Sequence, residues 1–180
     1  VHDFVGQEII DSVLSDVSDL EDSSWMLDAG SLNSESFWIN RTVPPDKFSD
    51  KTRTLMDELN KSVTDCFDYY KEIIEVGNLH RTLPDGRSLD YHIDNYDGPD
   101  LENVFGIVIY LNEDYEGGQI HYKDLDIFYK PKAGDLIVHY AGLLHGVTEV
   151  SSGIRYIFTM FVRGSDKTTF MGEIADLSVL

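Results

Sequence analysis

His92-Ile93-Asp94, then His145, then Arg155 are the residues of this 180-residue chain whose types and spacing could do chemistry. Two imidazoles and one carboxylate are the donor set of a facial triad, which holds non-haem Fe(II) on one side and leaves the opposite positions open for a cosubstrate and oxygen. An arginine downstream of the second histidine offers a planar cation to a dicarboxylate cosubstrate. The chemistry such a set serves is oxygen activation.

Positioning these groups is a task for strands. Alternate strand residues point the same way, so His92 and Asp94 share a face while Ile93 points away, with roughly 6.6 Å of strand rise between them. His145 has to arrive from a neighbouring strand end, and Gly142-Leu143-Leu144-His145-Gly146 reads as one, opening a short strand towards Val150. From Ser88 onward the pattern is one of short strands: Leu89–Ile93, Val104–Leu111, Gln119–Tyr122, Asp126–Tyr129, Leu136–His139, Gly146–Val150 and Ile154–Val162. They are separated by breaks such as Asp97-Gly98-Pro99, Pro131-Lys132-Ala133-Gly134 and Ser151-Ser152-Gly153, while Gly117-Gly118 reads as a hairpin turn. Such spacing suggests a barrel or a two-sheet jelly roll. Val104–Leu111 and Ile154–Val162 are apolar on both faces, so one face would line the interior and the other would lie under helices.

The first half reads as helical. Val5, Ile9, Ile10, Val13, Leu14, Val17 and Leu20 recur at helical spacing from Asp3 to about Leu20. Ser49 or Asp50 can cap a second helix to roughly Val76, with Leu55, Leu59, Val63, Cys66, Phe67, Tyr70, Ile73 and Ile74 on one stripe. The expected organisation is a single domain: residues 1–87 as helical support and loops, 88–163 as the jelly-roll core with the metal site, and 164–180 as a C-terminal tail. The fold class is mainly β (α+β), a double-stranded β-helix with supporting N-terminal helices.

Composition narrows the partners. A net charge of −19 argues against binding a phosphate backbone, which requires Lys and Arg on the binding face. Solubility is the plain reading of that charge, and steering of a cationic substrate the functional one. No apolar run is long enough to span a membrane. The lone Cys66 rules out an internal disulfide and a zinc–cysteine cluster, which suits a reducing, cytoplasmic setting. The chain opens on Val1, so a trimmed start is expected, and Val1-His2-Asp3 lacks a basic region followed by an apolar stretch. Oligomeric state is left open.

The blocks Tyr91-His92-Ile93-Asp94, Tyr110-Leu111-Asn112, Glu116-Gly117-Gly118, Lys132-Ala133-Gly134-Asp135, Leu144-His145-Gly146-Val147 and Gly153-Ile154-Arg155-Tyr156 together resemble the 2-oxoglutarate/Fe(II)-dependent dioxygenases, and within them the prolyl 4-hydroxylase-like branch. The likeness runs from about Leu89 to Val162. It implies that His92, Asp94 and His145 are iron ligands, that Arg155 pairs with the far carboxylate of 2-oxoglutarate, and that Tyr110 places its hydroxyl on that carboxylate. It also implies O2 as the oxidant, with ascorbate as an optional reductant, and succinate and CO2 as co-products of C–H hydroxylation. Many prolyl 4-hydroxylase-like enzymes carry lysine where this chain has Arg155, which leaves the cosubstrate in place and widens the choice of substrate. Asp94 separates the chain from halogenating relatives, in which a small residue replaces the carboxylate.

A prolyl residue of a peptide or protein is the leading substrate by resemblance; a free amino acid or other small molecule is the alternative. A non-catalytic jelly-roll binding domain is the reading from another class, and a zinc hydrolase a third, which would leave Arg155 unused. Arg155 shares a strand face with Ile157, Thr159 and Phe161, so it is expected to point into an apolar interior and to need an anion. His139 is a rival distal ligand, read as a packed histidine supporting the others. His2, His80 and His121 have no partner at metal-ligand spacing and are assigned no role. Asn78–Arg87 and Asp94–Asn103 read as polar loops that could form a lid, with Asn95, Tyr96, Trp38, Arg41 and Tyr122 as candidate substrate contacts.

Overall fold

The computed structural model describes residues 1–28, 40–42, 45–66, 78–84, 88–94 and 102–164. In chain order its first elements are α1 (Gln7–Val17), β1 (Met26–Asp28), β2 (Asn40–Thr42), α2 (Asp50–Cys66), β3 (Asn78–Thr82), β4 (Leu89–His92) and β5 (Glu102–Tyr110). There follow β6 (Glu116–Gly117), β7 (Ile120–Tyr122), β8 (Ile127–Tyr129), β9 (Leu136–Tyr140), β10 (His145–Val147), β11 (Val150–Ser152) and β12 (Arg155–Gly164). A larger sheet runs β1-β2-β3-β12-β5-β9, a smaller one β4-β10-β7-β8, and β6 pairs with β11 as a separate hairpin. All the pairings are antiparallel.

The two-faced apolar strands explain the layering. One face of β5 and β12 carries Ile107, Ile109, Leu111, Phe158, Met160 and Val162, which form a single cluster with Val13 and Val17 of α1 and Leu59 and Val63 of α2. Ile10, Val13 and Val17 are buried on one side of α1, at the helical spacing that the sequence displays. α2 starts where the Ser49 hydroxyl accepts the backbone N–H of Thr52 at 3.2 Å, so Ser49 is the cap. The two helices are tied by a hydrogen bond between the Ser12 and Thr52 hydroxyls, 2.9 Å. The opposite face of β5 and β12 looks into a cavity that the smaller sheet closes from the other side. This is the expected jelly-roll arrangement, with helices backing one sheet.

Four local expectations change. The first half is not purely helical, because β1, β2 and β3 extend the larger sheet past β12. β3 falls in what reads as a polar loop; its Leu79, His80 and Arg81 are buried, and it gains its strand character from pairing with β12, Arg155 opposite Thr82. Cys66, placed on the buried stripe of the second helix, is exposed. The stretch Gly146–Val150 divides into β10 and β11, which pair with different strands. Residues 67–77 of the expected second helix lie outside the described residues, as do Trp38, Asn95 and Tyr96. No helix among the described residues is long and apolar enough to cross a membrane.

Candidate metal centre

His92 ends β4 and His145 begins β10, and the two stand directly opposite each other across that ladder, their rings 4.4 Å apart. Asp94 lies just beyond the end of β4, where its backbone N–H donates to the Ala141 carbonyl at 2.7 Å and its own carbonyl accepts from the Asn103 amide at 2.8 Å. One donor atom from each of His92, Asp94 and His145 falls within 4.8 Å of the others, close enough for all three to meet one ion. The three side chains thus come together from the end of β4, the residues just after it and the start of β10.

The ring orientations favour a metal. Nδ1 of His92 donates to the Asp90 carbonyl and Nδ1 of His145 to the Leu143 carbonyl, each at 2.8 Å. Both bonds leave Nε2 as the nitrogen turned towards Asp94, which is how ligating imidazoles are usually fixed in tautomer and direction. Burial, reinforced by the neighbouring His139, pushes the His145 imidazole down to about 4, so it is neutral near pH 7 with a lone pair to give. Burial acts to raise Asp94, but the hydrogen bond from His139 and the nearness of His92 and His145 outweigh it and hold the carboxyl well below the usual range. An ionised carboxylate beside the neutral His145 imidazole and the His92 ring fits Fe(II) or a similar divalent ion.

A cavity of about 190 Å³ runs from these donors to Arg155. Arg155, Ile157, Thr159 and Phe161 all line it, as the alternation along β12 requires. Arg155 is 3% exposed, its Nε has no hydrogen-bond partner, and among the described residues no carboxylate pairs with it. Its Nη2 donates to the Tyr110 hydroxyl at 3.4 Å, a long contact, and its guanidinium carbon lies 5.1 Å from the Tyr110 ring centre. A buried cation carries a penalty of several kcal/mol unless an anion joins it. Arg155 and Tyr110 thus place a buried cation and a hydroxyl in the same cavity as His92, Asp94 and His145, an arrangement suited to an anionic group.

Some of the surrounding residues, Tyr115 among them, are not singled out by the sequence reading. Tyr115 packs beside Arg155, and a Cβ on Gly118 would lie 2.9 Å from Tyr115 Cε2 and 3.1 Å from Arg155 Cδ. Gly118 also takes φ +62, so both space and backbone conformation call for glycine there. The Tyr115 phenol is pushed up to about 12 by burial. His80, assigned no role from sequence, lines the cavity and hydrogen bonds with the Thr159 hydroxyl at 2.7 Å. His139 contacts Asp94 directly at 2.9 Å, and Tyr122, a candidate substrate contact, lies 3.2 Å from His139. His121 stacks on Phe128 at 3.7 Å and does not line this cavity.

No family model matches the chain. It is 36% identical over 76 residues to a PKHD-type hydroxylase of Prochlorococcus marinus, a match covering 40% of this chain and 34% of that protein. The matched segment thus spans about a third of that relative's length. Among solved structures, a viral collagen prolyl hydroxylase from Paramecium bursaria Chlorella virus-1, in complex with 2-oxoglutarate, superposes with a TM-score of 0.66 at 16% identity, covering 92% of this chain and 94% of that one. A Pseudomonas putida prolyl-4-hydroxylase gives 0.67 at 18%, covering 92% and 91%. A Trichoplax adhaerens prolyl hydroxylase, in complex with a hypoxia-inducible-factor peptide fragment, gives 0.70 at 17%, covering 100% and 86%. At these identities the likeness shows a shared fold, the double-stranded β-helix of prolyl 4-hydroxylase-like enzymes.

Proposed function

We propose that this chain is a 2-oxoglutarate- and Fe(II)-dependent dioxygenase that hydroxylates a C–H bond, with a prolyl residue of a peptide or protein as its substrate and succinate and CO2 as co-products. The observation that carries the reading is the buried, anion-seeking Arg155 in one cavity with His92, Asp94 and His145. A structural metal site has no use for that arginine, and a cavity for a dicarboxylate has no use for three metal donors. The structural neighbours include prolyl hydroxylases, which supports the prolyl substrate, and the peptide complex of the Trichoplax enzyme supports a peptide. The exposed, free Cys66 suits a reducing compartment, in which Fe(II) persists.

In this reading Nε2 of His92, Nε2 of His145 and an Asp94 oxygen would hold the iron. When bound there, iron with 2-oxoglutarate and O2 would supply the oxidising power for C–H hydroxylation. Arg155 receives the far carboxylate of 2-oxoglutarate through charge-assisted hydrogen bonds, and Tyr110 donates its hydroxyl to the same group. Val108, Ile120 and Ile157 line the cavity and would keep water away from the reacting end.

The test is an anaerobic titration of the protein with Fe(II) and 2-oxoglutarate, followed through the weak visible charge-transfer absorption of the chelate. His92→Ala is expected to abolish the band, and Arg155→Ala to require far more cosubstrate for it. A proline-containing peptide screen, read by mass for gain of one oxygen, then addresses the substrate. A folded, metal-loaded wild type without the band would sink the oxygenase reading; a band without any peptide product would overturn only the prolyl substrate.

A further inference from the structure

The surroundings of Asp94 treat its two carboxylate oxygens differently. Oδ1 faces Nε2 of His92 at 3.3 Å. Oδ2 meets Nε2 of His139 at 2.9 Å, with Nε2 of His145 further off at 3.7 Å. His139 sits on β9, buried, and both of its ring nitrogens are engaged, because Nδ1 lies 3.2 Å from the Tyr122 hydroxyl. An ionised carboxylate can only accept, so Nε2 of His139 donates to Oδ2, and in the neutral ring Nδ1 then accepts from Tyr122. A directed relay therefore runs from the Tyr122 hydroxyl through His139 to the carboxylate.

The neighbouring strand is shaped around that contact. Gly106 of β5 stands opposite His139 in the ladder. A Cβ at Gly106 would lie 2.5 Å from Asp94 Oδ2 and 2.6 Å from His139 Nε2, so any larger residue would drive into the hydrogen bond itself. Gly106 is not among the glycines with positive φ, so the strand needs it for space rather than for conformation. A glycine in mid-strand weakens a sheet, and the hole it leaves is occupied by the His139–Asp94 pair.

We propose that His139 is a positioning residue that holds Asp94 to a metal through a single oxygen, an inference that rests on the oxygenase reading above. With Oδ2 gripped by a fixed N–H donor, the carboxylate keeps one rotamer and presents Oδ1 beside His92. One-oxygen ligation preserves a coordination position that a chelating carboxylate would fill, and that position is what a two-point cosubstrate and oxygen require. Outer partners of metal ligands typically contribute about 10- to 100-fold in metal affinity. A histidine that merely filled space would change stability and leave the metal indifferent.

Co(II) titration of the metal-free protein tests this, read by affinity and by the visible d–d spectrum, for wild type, His139→Phe, His139→Asn and His139→Gln. Gln extends an amide N–H to about the place of Nε2, whereas Asn is polar but too short to reach Oδ2. His139→Phe and His139→Asn are expected to bind Co(II) about 10- to 100-fold more weakly with an altered spectrum, and His139→Gln to return to within about threefold of wild type. Should His139→Phe fail to fold, the comparison of Asn with Gln carries the same decision. Wild-type affinity and spectrum in His139→Asn, or a folded His139→Gln as weak as His139→Asn, would overturn the proposal, as would a wild type that binds no Co(II). Succinate formation by the Fe(II)-loaded wild type is followed in parallel. Its absence beside tight, His139-dependent Co(II) binding would refute the oxygenase reading alone.

Discussion

Arg155 concentrates the conflict between stability and function in one side chain. Its guanidinium is out of water beside Tyr110 and Tyr115, so with no anion bound the protein bears a desolvation cost that no described carboxylate offsets. Arg155→Met keeps the apolar stem and removes the charge. The metal-free, cosubstrate-free variant is expected to melt above wild type, by about 2–4 °C for each kcal/mol recovered. Its KM for 2-oxoglutarate is expected to rise about ten- to hundredfold, the loss of a charged hydrogen-bond pair worth about 1.5–3 kcal/mol. Differential scanning calorimetry and steady-state decarboxylation check the two signs, and a variant less stable than wild type would show that Arg155 serves the fold. The direction in which Arg155 points was legible from the alternation along Arg155, Ile157, Thr159 and Phe161.

At the scale of elements, α2 matters to the site only through the sheet it covers. Leu59 and Val63 pack in the cluster with Ile107, Phe158 and Met160, so the helix braces one face of β5 and β12 while the other face holds Tyr110 and Arg155. Leu59→Ala is expected to cost about 2–5 kcal/mol of stability. Well below its melting point, the variant is expected to keep wild-type Co(II) affinity, because the metal donors stand on β4 and β10 of the other sheet. Urea unfolding and metal titration separate the two effects. This packing was legible in the helical period of α2. β3 was not, because Asn-Leu-His-Arg-Thr has little of the β-branched and aromatic character of strands. Its burial is made by distant partners: Arg81 pairs with Asp22 and lies over the Trp25 ring, while His80 meets Thr159.

For the whole molecule, the metal is expected to act as a staple between segments far apart in sequence. Asp94 follows β4 and His145 opens β10, so an ion bound by His92, Asp94 and His145 joins two strands of the smaller sheet. A ligand that binds only the folded state adds about 2.7 kcal/mol at a hundred times its dissociation constant. For a chain of this length the melting temperature is expected to rise by about 5–11 °C on adding Mn(II) or Co(II), and a chelator should reverse it. His92→Ala should show no such shift; an equal shift there would place the stabilising ion elsewhere on this acidic chain.

What the sequence by itself determined are the features with a short-range signature. A period of two sets His92 beside Asp94 and turns Arg155 inward, a helical period marks α1 and α2, and glycine-rich breaks part the strands of the second half. Each follows from backbone geometry acting on neighbouring residues. The tertiary structure alone decided which distant groups meet. His139 lies 45 residues from Asp94, and Gly106 makes room for their contact from a third strand. β3 becomes a strand only by pairing with β12. No local pattern encodes such meetings, because they depend on strand order and register, which are set when both faces of β5 and β12 are buried at once.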